Sequence, residues 1–153
     1  MKSLVRPILV VLAATLMPAA IPAQSGGRTI VEDPAALQRL RRNSGITLQW
    51  ISFESPRRGH VRVTERGDMV HLSGRQVSAN GNARVELDGD VLRIGRDRFT
   101  LAGNITITNA PDQGRVCVRE GEFEFRVTQR RRYWRLQQMT ACDGLTDYVD
   151  IYF

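Results

Sequence analysis

Arg130-Arg131-Arg132-Tyr133-Trp134-Arg135 is the densest run of chemistry-bearing side chains in the sequence, and no acidic residue interrupts it. Guanidinium groups beside aromatic faces can bind phosphate, sulfate or uronate while the rings stack on a sugar or a base. Arg130, Arg131, Arg132, Tyr133 and Arg135 are therefore the candidate anion-binding residues. A solvated hairpin turn at Gln129 to Arg131 accounts for the same charges without a ligand. Either Tyr133 or Trp134 must then face the core, because neighbours in a strand point to opposite sides.

Other constellations point to structure more than to catalysis. Asp143, Asp147 and Asp150 could hold Ca²⁺, but the full calcium-loop pattern is absent. Asp147 and Asp150 differ in strand parity, so cross-strand pairing with arginine is the expectation. His60 and His71, the two histidines, fall on polar faces near strand ends with no recognised zinc spacing. No metal is expected. Glu120, Glu122 and Glu124 share one face and form a wet stripe rather than an acid–base pair in a cleft. Lys2 is the sole lysine, which removes lysine catalysis from everything downstream. No nucleophile, base and oxyanion donor come together, so neither an enzyme nor a cofactor is expected. The Asn104-Ile105-Thr106 sequon lies in a strand, and Arg66-Gly67-Asp68 is a hairpin turn.

The elements that must position these residues are mostly strands. Asp33 is a suitable N-cap, Pro34 suits the first helical position, and a helix runs to Arg42 before Asn43-Ser44-Gly45 ends it. Leu37 and Leu40 share its apolar face. Arg39, Arg41 and Arg42 project elsewhere and complement the helix dipole. From Ile46 the period becomes two. Strands are expected near 46–54, 60–65, 69–77, 83–88, 91–94, 98–108, 115–127, 131–138 and 146–153. Arg66-Gly67-Asp68, Asn80-Gly81, Asp88-Gly89 and Gly95 supply tight turns, and 109–114 a wider loop. Phe99, Leu101, Ile105 and Ile107 share one face, with Gly103 marking a bend or a close approach. Consecutive hairpins with one apolar face must curl over it. The expected fold class is all-β: an antiparallel meander closing into a small barrel or a two-sheet sandwich, with the helix over one end.

The chain begins with an address. Lys2 and Arg6 form a basic n-region, Ile8 to Met17 an apolar h-region, and Pro18 to Ala23 supply small residues and helix breakers. The h-region spans about 15 Å as helix, half a bilayer core of about 30 Å. Residues 1–23 are thus expected to be a cleaved signal peptide, 24–32 a flexible arm, and 33–153 a single β-domain that is periplasmic or secreted and has no transmembrane span. Export makes Cys117 and Cys142 a disulfide, worth roughly 3 kcal/mol for a loop of this size. The net charge of +6, from 22 basic and 16 acidic residues, falls further with the signal. Such a bias is too small to argue for nucleic acid, and export argues against it.

Gly114-Arg115-Val116-Cys117, Tyr133-Trp134-Arg135-Leu136-Gln137, Cys142-Asp143-Gly144 and Thr146 to Phe153 make the C-terminal third resemble small exported proteins of unknown function from alphaproteobacteria. That resemblance implies an envelope location and carries no activity. The meander plus one helix is also similar in outline to lipocalin-like barrels, although Trp50 follows Leu48-Gln49 where that family opens on Gly-x-Trp.

The function expected from these residues is a non-catalytic exported β-domain. It would bind either a small apolar ligand inside the barrel or an anionic envelope partner on an arginine-rich face. The alternative is a secreted inhibitor of a protease or lysozyme, with loop 109–114 entering the target's cleft. An outer-membrane barrel ranks below both, because too few strands show a continuous apolar outer band.

Overall fold

The computed structural model describes residues 27–153. The signal-peptide expectation for 1–23 lies outside them. Within them, no helix is long and apolar enough to cross a membrane.

The helix forms where its caps place it. Helix α1 is Pro34–Arg41, and the Asp33 carboxylate accepts the backbone N–H groups of Ala35 and Ala36. It buries Ala36, Leu37 and Leu40. The strands are β1 (Ile30–Val31), β2 (Gly45–Leu48), β3 (His60–Arg66), β4 (Met69–Val77), β5 (Arg84–Ile94), β6 (Arg98–Thr108), β7 (Val116–Arg126), β8 (Tyr133–Leu136) and β9 (Val149–Tyr152). A one-turn helix α2, Gln49–Ser52, follows β2, and Cys142–Gly144 is a single 3₁₀ turn. The sheet order is β2-β9-β8-β7-β6-β5-β4-β3, antiparallel throughout, with β1 added parallel to β5. This is the expected all-β meander, curled into a nearly closed barrel rather than a two-sheet sandwich.

Closure is completed by individual backbone and side-chain bonds where the ladder stops. The Gly59 N–H donates to Ile46 O at 2.8 Å. Asn43 Nδ2 donates to Val61 O at 3.1 Å. Gln76, buried on β4, accepts from the Leu48 N–H at 2.7 Å and donates to Arg57 O at 3.0 Å. Backbone groups that would face a gap between β2 and the β3–β4 hairpin are thereby met. The interior is filled by the inward row of each strand. Trp134, Phe99, Phe125, Leu101, Leu72 and Ile151 are all fully buried. Phe99 stacks on Phe125 at 4.8 Å and meets Trp134 edge-on at 5.6 Å.

Three sequence expectations are corrected. The strand expected over 46–54 stops at Leu48, because the chain turns into α2 and the Leu48 N–H goes to Gln76. The turn expected at Asp88-Gly89 does not exist; β5 runs unbroken from Arg84 to Ile94. Gly89 there pairs with Gly103 of β6, which pairs in turn with Gly121 of β7. A Cβ on Gly103 would lie 2.1 Å from Asp88 O, and one on Gly89 2.5 Å from Ala102 O. The glycines thus serve close strand approach across a curved sheet, as Gly103 alone suggested, and not reversal. Finally, the segment expected as an arm over 24–32 is tied down from Thr29 onward. Thr29 Oγ1 donates to Val91 O at 2.7 Å and accepts from the Val70 N–H at 2.8 Å.

Candidate functional site

The chain brings its carboxylates to arginines, as parity predicted. Arg135 on β8 faces Asp150 on β9 in register, and two N–H groups reach the two carboxylate oxygens at 2.7 Å each. Arg115 and Asp147 form a second bidentate pair at 3.0 and 2.9 Å, with side chains only 6% and 0% exposed. Trp50 Nε1 donates to the same Asp147 at 2.9 Å, and Arg115 also reaches Ala110 O at 2.8 Å. The bonds to Asp147 and Asp150 raise the pKa of Arg115 and Arg135 respectively, against the opposing effect of burial. Cys117 and Cys142 are bridged, with S–S 2.03 Å and Cα atoms 5.8 Å apart, which holds the 3₁₀ turn against β7 beside the Arg115 network. These features order the molecule; among the described residues no group of three or more His, Cys, Asp or Glu side chains is placed to hold a metal ion.

The histidines are redistributed. His60 is exposed at the start of β3, as expected. His71 is buried, with Nδ1 2.7 Å from Asp90 and Nε2 3.3 Å from Asp88. Both ring nitrogens thus lie within bonding distance of carboxylates on β5.

The basic-aromatic run divides between two surfaces. Trp134 is the core member and Tyr133 the outward one. Arg130 is exposed in the turn. Arg131 lies over the Tyr133 ring at 5.7 Å, and Arg135 is committed to Asp150. Arg132 faces the other way. It lines a groove of about 490 Å³ with Ala35, Gln38, Arg39, Arg42 and Phe153. So the five candidate residues do not form one site: Arg132 joins helix α1, and Arg131, Tyr133 and Arg135 lie on the outer face of β8.

The groove is assembled by topology. Strand β2 follows α1 and pairs with β9, which returns the end of β9 to the helix. Phe153 N–H then bonds to Arg132 O at 3.1 Å. The Phe153 ring packs on Trp134 at 4.3 Å, and the Arg39 guanidinium sits 5.3 Å from that ring. Arg41, by contrast, points away to pair with Glu65. Among the described residues, no carboxylate pairs with Arg39, Arg42 or Arg132. Among the described residues three buried side-chain nitrogens lack any partner, and two of them, Arg39 Nε and Trp134 Nε1, belong to this cluster around Phe153. Buried donors without a partner are rare in folded proteins.

Sequence reasoning assigned Arg39 and Arg42 to the helix dipole and missed the groove. The signal was present in the spacing: 35, 38, 39 and 42 fall at i, i+3, i+4 and i+7, one helix face. What the spacing lacked was the partner strand.

Residues 28–153 match the PM1083 family. A protein of Pasteurella multocida (strain Pm70), named uncharacterized protein PM1083, is 33% identical over 154 residues, covering 99% of this chain and 98% of that protein. The likeness therefore extends well beyond the C-terminal third, and neither match supplies an alphaproteobacterial link. No solved structure matches.

Proposed function

The chain belongs to the PM1083 family, and for this member we propose a non-catalytic exported domain that binds an anionic envelope partner in the groove between α1 and the end of β9. The observation that carries this is the meeting of Arg39, Arg42 and Arg132 around the Phe153 ring, with no Asp or Glu side chain paired to any of them among the described residues. A phosphate or carboxylate would take the guanidinium groups, and an attached apolar group would lie on Phe153 and Ala35. The filled barrel interior favours a ligand outside the sheet over an apolar one inside it. The n- and h-regions and the Cys117–Cys142 bridge support export to an oxidising compartment.

Calorimetric titration with dodecyl phosphate, kept below its micelle concentration, tests the proposal. Saturable binding should weaken about tenfold for each of Arg39→Gln, Arg42→Gln and Arg132→Gln, with dodecyl maltoside inert. Equal binding of the neutral detergent, or indifference to all three substitutions, would refute it.

The inhibitor alternative has one favouring observation. Loop 109–114 is propped from inside: Asn109 Oδ1 accepts from the Gly114 N–H at 2.8 Å, Asn109 Nδ2 reaches Asn82 O at 3.0 Å, and Arg115 holds Ala110 O. A rigid loop suits entry into a cleft. Absence of inhibition across a panel of lysozymes and serine proteases at micromolar protein would remove that alternative.

A further inference from the structure

We propose that the outer face of β8 and β9 is a second binding surface, and that its occupant is an acidic polysaccharide strand. This rests on the reading of the domain as a module for an anionic envelope partner, and it names that partner's class.

The surface is a continuous line of guanidinium groups and phenol rings. Arg58 lies 3.8 Å over the Tyr152 ring, and Tyr152 packs on Tyr133 with centroids 5.1 Å apart. Arg135 follows, 5.2 Å from the Tyr133 ring and 4.2 Å from the Tyr148 ring. Arg131 branches off at Tyr133. Most members are held. The rings stand on paired strands at register Tyr133↔Tyr152, Arg135 is clamped by Asp150, and Arg58 Nη1 donates to Ser44 Oγ at 2.7 Å. Such a line is preorganised, so a ligand does not have to freeze long side chains on arrival.

Charge and shape choose the occupant. Asp150 is the one carboxylate in the line and is already matched by Arg135. Arg58 and Arg131 have no carboxylate partner among the described residues, so the strip carries uncompensated positive charge. Tyr148, just before β9, and Tyr152, at its end, are four residues apart, about 13 Å of extended chain, so a ligand touching both must be a chain. An exposed ring is apolar on its face and polar at its hydroxyl, and guanidinium edges take carboxylates in pairs. A strand of uronate sugars presents those complements in repeat: ring C–H faces, hydroxyls and carboxylates. A nucleic acid fits less well. The n- and h-regions at the start of the sequence argue for export, away from cellular nucleic acid.

Affinity electrophoresis of the mature protein through gels containing polygalacturonate tests this, with gels containing dextran or oligo(dT) run beside them. Retardation by polygalacturonate alone is expected. It should fall about tenfold in the double variant Arg58→Gln/Arg131→Gln and in Tyr148→Ala. Both lie at the surface, and a cooperative melt near the wild-type temperature checks their folds. Dodecyl phosphate titration of these variants should be unchanged, because the groove residues are intact. Equal retardation by oligo(dT) with the same residue dependence would make nucleic acid the occupant and overturn the inference. So would no retardation by polygalacturonate, or retardation insensitive to all these substitutions. If dodecyl phosphate fails to bind while the residue-dependent retardation persists, the groove falls and the strip stands.

Discussion

Single residues decide where this molecule tolerates change. Arg115 and Asp147 are the most deeply placed ion pair, and Asp147 is shared with Trp50. Removing one partner strands a buried charge, at about 3–5 kcal/mol. Arg115→Ala or Asp147→Leu should therefore lower stability by that order in urea titration. The pair replaced together by Met and Leu should recover much of it. Recovery is the informative result, because it separates the stranded charge from lost packing. The bond to Asp147 raises the pKa of Arg115. A base raised on folding contributes its full stability below its unfolded pKa and loses it only above, so this pair should not weaken between about pH 7 and pH 10. Arg130, Arg131 and Arg132 behave oppositely. Two are exposed and the third lies on a ring, so changing all three to Gln should shift unfolding by less than about 1 kcal/mol. A collapse of the fold would show that they are structural.

Elements were legible wherever one local signal governed them. Asp33-Pro34 starts α1 where the cap and the ring predict, and the alternation of Phe99, Leu101, Ile105 and Ile107 places β6 to the residue. The strand expected near 146–153 contains β9, where Val149 and Ile151 are buried, and Tyr148 just before it is outward. Local signals failed where a distant group won. Asp88-Gly89 has turn chemistry, but the cross-strand glycines make it a close approach. Trp50 reads as strand until Asp147 claims its indole N–H. The seam is the clearest case, because nothing near Gln76 announces that it bonds Leu48 across the barrel. Gln76→Leu should leave that N–H unmet and cost about 1–3 kcal/mol. Hydrogen exchange should then rise first at Leu48 and Gly59; if those amides stay as protected as in the wild type, Gln76 does not close the seam. Deleting 148–153 removes β9 from between β2 and β8. It should leave no cooperative melt, and a truncated protein melting near the wild-type temperature would contradict the barrel's dependence on that strand.

At the scale of the molecule, function depends on which ends the topology joins. The arginines of α1 and Arg132 are far apart in sequence and meet because β2 pairs with β9. In the sequence one set matched a helix dipole, and Arg132 belonged to a candidate anion-binding run that a solvated turn also explained. The sequence run that drew attention, 130–135, is instead the corner where two basic surfaces adjoin. The central claim is that an anion binds outside the barrel, in the α1 groove. Mapping amide shifts in a ¹⁵N-labelled sample during dodecyl phosphate titration tests it most directly. The account predicts saturable shifts confined to Ala35–Arg42, Arg132 and Phe153. Shifts centred instead on interior residues such as Leu72, Leu101 and Phe125 would contradict it and make the domain a carrier that opens its barrel to the ligand.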